Sequence, residues 1–195
     1  MVDYEIFYYT KNNFNDIGFG CSYRNIQTII SSIKMFHMPS INVPNIQELL
    51  KDIKPHYKEI ISDGKTKKLW IEPHDIADYI KSHLNIFSLK IVYFTSIYDS
   101  KKMLNERDLS RYDLFLRIIK FDKLLDMLIS HFKNSKLPVV IDNGTHSYLI
   151  AEIYNCREKF LLIDPHVTKA EDALIVKDID FIKKSFWMIY ISEYD

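Results

Sequence analysis

Ile26, Ile29, Ile30 and Ile33 stand at i, i+3, i+4 and i+7, the spacing of one buried face on an amphipathic helix. The stretch before them has loop chemistry: Asn12, Asn13, Asn15, Asp16 and two of the chain's four glycines. Together, loop and stripe require a helix that opens near Cys21, directly behind Gly18-Phe19-Gly20. A helix with an apolar face needs a second apolar surface laid against it, and the later part of the chain has to supply one.

Residues 4–9 are aromatic and β-prone and predict a short strand. Asn45 is a candidate cap for a short helix ending at Ile53. Pro73 suits the first turn of a helix whose buried face is Ile76, Ala77, Ile80 and Leu84. Beyond Phe87 the apolar period shortens. Residues 89–94 predict a strand, and residues 114–119 fit either strand or helix. Leu124, Leu125, Leu128, Ile129 and Phe132 form another helical stripe. Residues 137–141, 146–154 and 159–163 are three strand candidates in close succession, the last two joined by a turn at Asn155-Cys156-Arg157-Glu158. A short helix over 178–184 and a strand over 186–191 complete the pattern. Helices first and strands late predict an α+β fold, expected as a single domain over residues 1–195.

Hydrophobic residues make up 47% of the chain and charged residues 27%, which excludes a disordered polymer. The formal net charge is zero, so no global field draws the chain to nucleic acid or to an anionic membrane. No apolar run approaches the length of a bilayer span. The N-terminus lacks the basic-then-apolar pattern of a secretory leader. Two cysteines make no disulfide framework. A reducing compartment, the cytosol, is therefore the expected location.

At a helix start the backbone N–H groups point outward and the dipole favours negative charge, so a thiolate at Cys21 is stabilised. The flanking glycines allow close approach of a substrate backbone. A buried structural cysteine after a glycine-bearing turn is the alternative. A cysteine nucleophile needs a base, and the base needs an orienting partner. Asp164-Pro165-His166 follows the strand 159–163, and its proline bend lets Asp164 and His166 project from one strand end toward a common point. His146, at the start of the preceding strand, is a second candidate base. His37, His56, His74, His83 and His131 are dispersed over polar positions, without the spacing of a zinc site. Cys156 falls in a turn and is expected to be a bystander. No glycine-rich phosphate loop occurs.

Gly18-Phe19-Gly20-Cys21-Ser22-Tyr23-Arg24-Asn25-Ile26-Gln27 resembles the nucleophile motif of the ubiquitin-fold modifier-specific cysteine proteases, Gly-Trp-Gly-Cys-Gly-Tyr-Arg-Asn-x-Gln. Phe160-Leu161-Leu162-Ile163-Asp164-Pro165-His166 resembles that family's apolar strand ending in Asp-Pro-His, with Ala170-Glu171-Asp172 behind it. Val43-Pro44-Asn45-Ile46-Gln47 and Trp70-Ile71 with Asp75 are similar to two intermediate segments. The likeness runs from about Tyr9 to the C-terminus.

The resemblance implies a papain-like fold, with the cysteine at the start of a central helix packed on an antiparallel sheet. It makes Cys21 the nucleophile, His166 the base and Asp164 its orienter. It also makes Tyr9 a hydroxyl donor to the oxyanion, with Tyr8 its less favoured neighbour. The implied partner is a ubiquitin-fold modifier or another ubiquitin-like protein, cleaved after its C-terminal glycine with the tail in the active-site channel. No metal or organic cofactor is needed for that chemistry. Phe19 stands where the family has Trp and Ser22 where it has Gly, two positions expected to flank the substrate channel. Asn143-Gly144-Thr145-His146 stands where the family often has Gly-Gly-x-x-His. In a related deubiquitinase branch that earlier histidine is the base, so a deubiquitinase using His146 is one rival. A catalytically silent modifier-binding module is another. Processing of autophagy modifiers is a third, disfavoured by Tyr23-Arg24-Asn25.

Overall fold

The computed structural model describes residues 2–84, 87–94, 118–119, 121–154, 158–183 and 187–194. Helices come first: α1 (Cys21–Phe36), α2 (Ile46–Ile53), α3 (Tyr57–Ser62) and α4 (Pro73–Leu84). Then follow β1 (Phe87–Phe94), β2 (Ile118–Ile119), α5 (Phe121–Asn134), β3 (Val139–Asp142), β4 (Ser147–Tyr154), β5 (Lys159–Ile163), β6 (Leu174–Asp178), α6 (Asp180–Lys183) and β7 (Trp187–Tyr194). The strands form one sheet in the order β2-β1-β7-β3-β4-β5-β6. Its pairings are antiparallel except that of β1 with β2. This is the α+β arrangement expected from helices early and strands late.

The sheet is apolar on both faces, which is why β3 and β5 read as continuous apolar runs rather than alternating ones. Val140, Leu149 and Ile163 point to a core built from the Ile26, Ile29, Ile30 and Ile33 face of α1 together with α2 and α4. Val139, Ile141, Ile150, Phe160 and Leu162 point the other way, to Leu124, Leu125 and Leu128 of α5, Ile182 of α6 and Trp187. Asn45 caps α2 as expected: its side chain accepts from the Gln47 and Glu48 amides at 2.9 and 3.0 Å, and Glu48 accepts from the Asn45 amide at 2.7 Å.

One expectation fails in an instructive way. Residues 4–9 form no strand and pair with none among the described residues. The Glu5 amide donates to Ser31 Oγ, the Phe7 amide to Thr28 Oγ1 and the Tyr9 amide to the Pro165 carbonyl. Side chains of α1 thus take the place of a sheet neighbour, and the alternation survives as burial of Phe7 and Tyr9. On α5, His131 is buried and its Nε2 donates to the Leu137 carbonyl at 2.8 Å. Strand β6 and helix α3 were not anticipated. The ambiguous segment 114–119 lies outside the described residues except for β2, and so does Cys156.

The loop ahead of α1 hangs on a buried ion pair. Arg24 and Asp16 are both fully buried, with Nε–Oδ2 at 2.7 Å and Nη2–Oδ1 at 3.1 Å. Arg24 also donates to Gln27 Oε1 and to the Lys11 carbonyl, and Asp16 accepts from the Thr10 amide. Gly20 is needed here because a Cβ on it would meet Asp16 Oδ2 at 2.1 Å. Asp16→Ala is expected to cost about 3–5 kcal/mol in denaturant unfolding, since it strands a buried guanidinium. A loss below about 1 kcal/mol would mean that water reaches Arg24.

Candidate active site

Cys21 is the first residue of α1 and is half-buried, with a free thiol. Three of its neighbours in sequence fasten this helix start. The Tyr23 hydroxyl donates to the Leu69 carbonyl at 2.8 Å, and Arg24 holds the preceding loop. Asn25 Nδ2 donates to Ser147 Oγ at 2.9 Å, tying α1 to the start of β4. Ser147 in turn bonds the buried carboxylate of Asp142 at the end of β3, which also accepts from the Gly144 amide at 2.7 Å. Burial pushes Asp142 up from the usual carboxylate range, and those two bonds hold the shift back. Sequence reasoning missed this relay. Its one visible trace was the run of polar side chains Arg24, Asn25 and Gln27 around Ile26, at the start of the isoleucine stripe.

Asp164-Pro165-His166 leaves the end of β5 on the same side. Asp164 Oδ1 accepts from the His166 amide at 2.9 Å and from His166 Nδ1 at 2.7 Å. Nδ1 is thereby the protonated nitrogen, and Nε2 is the one left for Cys21. Nε2 is buried and has no partner in full hydrogen-bond geometry. The Cys21 sulfur is nonetheless close enough to act on its charge, a loose contact of the kind expected in an unliganded thiol site. Burial disfavours the imidazolium, but the bond to Asp164 and the neighbouring Cys21 sulfur outweigh it, and the His166 pKa is pushed up to about 9. Burial also opposes the Asp164 carboxylate, yet the two bonds from His166 hold its pKa below the usual range.

Tyr9 completes the group. Its amide is bonded to the Pro165 carbonyl at 2.9 Å, so the N-terminal segment is tied to the Asp-Pro-His turn itself. Its ring lies edge-on to His166, with centroids 5.5 Å apart. Burial raises the Tyr9 pKa, and proximity to the Cys21 sulfur adds to the rise. The hydroxyl is therefore neutral, a donor, and beside the thiol. Tyr8 lies outside this group, half-buried under the Lys11 ammonium. His146 reaches the site as well, but from its outer side. It is exposed and sits 5.1 Å from the His166 ring, T-shaped. It contributes to the low Asp164 pKa through charge, while the carboxylate's hydrogen bonds go to His166.

The structure thus gathers Tyr9, Cys21, Asp164 and His166 at one point and sets His146 beside them. Phe19 and Ser22 do not border an open channel. They are 3% and 5% exposed, and Phe19 packs edge-on against Tyr23 within the core. Ile17 and Trp70 are exposed, and the Trp70 indole Nε1 donates to the Gly18 carbonyl. Among the described residues no cluster of three or more His, Cys, Asp or Glu could hold a metal ion. No described helix is long and apolar enough to cross a membrane.

A family model described as Peptidase family C78 matches residues 1–187. The "Probable Ufm1-specific protease" of Oryza sativa subsp. japonica is 28% identical over 176 residues, which cover 87% of this chain and 23% of that protein. The "Probable Ufm1-specific protease 2" of Drosophila melanogaster is 25% identical over 182 residues, 90% of this chain and 26% of that protein. The chain therefore spans about a quarter of the length of these curated relatives. The crystal structure of UfSP from C. elegans superposes with a TM-score of 0.65 at 22% identity, over 98% of this chain and 33% of that one. The papain-like α+β expectation holds on that likeness of fold.

The raised His166 pKa has a direct readout. The His166 ring proton should titrate near pH 9 by NMR, and Asp164→Asn should drop the midpoint to the ordinary histidine range or below, because burial then acts with less opposition. Since the folded pKa lies above the unfolded one, the ring's contribution to stability is complete below about pH 6.5 and disappears as pH rises through about 9. A wild-type midpoint near 6.5 would contradict the coupling to Asp164.

Proposed function

This chain belongs to peptidase family C78, and from that premise we propose that it is a thiol protease that hydrolyses the bond after the C-terminal glycine of a ubiquitin-fold modifier. The observation that carries the reading is the convergence at the start of α1: the Cys21 thiol, the His166 ring held by Asp164 at 2.7 Å, and the Tyr9 hydroxyl beside the sulfur. Names of relatives as Ufm1-specific proteases support the modifier class.

In the proposed reaction His166 takes the Cys21 proton, and the thiolate attacks the glycyl carbonyl carbon. Charge developing on the carbonyl oxygen is met by the Cys21 backbone N–H and the Tyr9 hydroxyl. His166 returns the proton to the leaving amine as the C–N bond breaks, leaving a thioester on Cys21. A water that gives its proton to His166 then attacks the thioester, releasing the modifier's carboxylate and restoring the thiol. Asp164 keeps the proton on Nδ1 throughout, so that Nε2 does the exchange. A raised His166 pKa suits this cycle, because the imidazolium must persist until the amine departs. The chemistry needs Cys21 reduced, which a cytosolic setting supplies. His166 is the proposed base over His146 because the Asp164 hydrogen bonds go to His166.

The test is hydrolysis of fluorogenic substrates made from whole modifiers, the ubiquitin-fold modifier against ubiquitin. Wild-type protein should turn over the first with a preference of at least about a hundredfold. Tyr9→Phe should lower that turnover by roughly tenfold to a thousandfold with little change in stability. Preferential cleavage of ubiquitin would move the enzyme to the deubiquitinase reading, and no cleavage of either would favour a silent binding module. Unchanged turnover in Tyr9→Phe would remove Tyr9 from the oxyanion site.

A further inference from the structure

Trp70 has no part in the steps proposed above, although it bonds the loop that leads to Cys21. It follows directly on a 3-10 turn over Thr66–Leu69. Its two neighbours anchor it: Leu69 and Ile71 are buried in the core around α1, and the Leu69 carbonyl accepts from the Tyr23 hydroxyl in the first turn of that helix. Trp70 itself is 40% exposed, so burial does little to hold its ring. Its indole Nε1 donates to the carbonyl of Gly18, 52 residues back in the chain.

Gly18 is held in a conformation that glycine alone takes readily, with φ at +88°. A Cβ on it would meet nothing within 4 Å, so the backbone and not crowding requires the glycine. This backbone turns the Gly18 carbonyl to Trp70 and the Gly18 amide to the Tyr9 hydroxyl. The amide favours negative charge on that oxygen and pulls the Tyr9 pKa down against burial. A phenolic hydroxyl both accepts and donates. With an N–H on one side of the oxygen, the O–H proton turns to the other, toward the Cys21 sulfur. A hydroxyl that accepts one hydrogen bond is also a stronger donor in the next.

We propose that Trp70 is a positioning residue for the oxyanion site: by fixing the Gly18 peptide it holds the Gly18 amide on Tyr9, and so aims the Tyr9 hydroxyl at the reacting carbonyl oxygen. The proposal rests on the protease reading above and adds to it the element that preorganises the donor. The rest of the loop leaves that task to Trp70. Asp16 fixes the residues on either side, since its carboxylate accepts from the Thr10 amide and its carbonyl from the Phe19 and Gly20 amides. Among the described residues the Gly18 carbonyl takes no backbone donor and is left to the indole. Without that bond the peptide is free to rotate, and the Tyr9 proton loses its fixed direction.

The test measures kcat and KM for the whole-modifier fluorogenic substrate in the full chain, across wild type, Trp70→Phe, Tyr9→Phe and the double variant. Trp70→Phe keeps an aromatic ring and deletes the N–H. It should lower kcat on the order of three- to tenfold with KM held within about twofold, the size of effect that one lost hydrogen bond gives. In the Tyr9→Phe background the same change should alter kcat by less than about twofold, because no hydroxyl is left to aim. A merely structural role for Trp70 gives the same loss in both backgrounds, and that result overturns the proposal. So does an unchanged kcat in Trp70→Phe. A rise in KM at unchanged kcat also overturns it, by making Trp70 a substrate contact. All three leave proteolysis standing, whereas no cleavage by the wild-type protein overturns both readings.

Discussion

Arg24 and Asp16 form the interaction on which the site's geometry rests. A buried ion pair is rarely a net source of stability against an apolar alternative, so its value lies in where it holds the chain. The guanidinium on α1 donates to the loop carboxylate and to the Lys11 carbonyl, and the same carboxylate accepts from the Thr10 amide. Tyr9 is therefore pinned from one side by the loop that leads to Cys21. From the other side the Pro165 carbonyl accepts its amide. The loop before Cys21 and the turn that carries His166 are separated by most of the chain, yet both end on Tyr9. The same loop holds Thr10, Asn12 and Asn13 at positive φ, a conformation that costs energy for non-glycine residues. The buried network over-determines it.

A second tie sets the distance between helix and sheet. Asn25, Ser147 and Asp142 link α1 to the ends of β3 and β4, and β5 pairs with β4 through Ile163 and Leu149. His166 thus inherits its place from the same end of the sheet. Around it, the Tyr9, Tyr148 and His146 rings exclude water on several sides, which strengthens the Asp164–His166 bond and costs the imidazolium solvation. The first effect wins, and the ring's pKa rises.

Much of this was legible in the sequence, and the reasons are local. The isoleucine period located α1, the two glycines located its start, and Asn45 and Pro73 located two more helices. Asp164-Pro165-His166 was recognisable because its parts are adjacent in the chain. What escaped depends on partners distant in sequence. Residues 4–9 have strand composition, yet serine and threonine side chains on α1 satisfy their amides. The burial of His131 depends on the Leu137 carbonyl beyond the end of its own helix. Asp16 looked like one more loop residue, although it is the counter-charge that Arg24 requires. Phe19 and Ser22 were expected beside a channel, and burial on α1's core side removes them from it. Strand β6 was missed because its Leu174-Ile175-Val176 run is short and half exposed.

The most direct test of the arrangement is covalent capture by an electrophilic probe ending in the ubiquitin-fold modifier, with the adduct mapped by peptide mass spectrometry in wild-type, His166→Ala and His146→Ala proteins. The predicted result is a single adduct on Cys21, formed readily by the wild-type and His146→Ala proteins and slowed by orders of magnitude in His166→Ala. An adduct on Cys156, or equal labelling of Cys21 with and without His166, would contradict the proposed pairing of nucleophile and base.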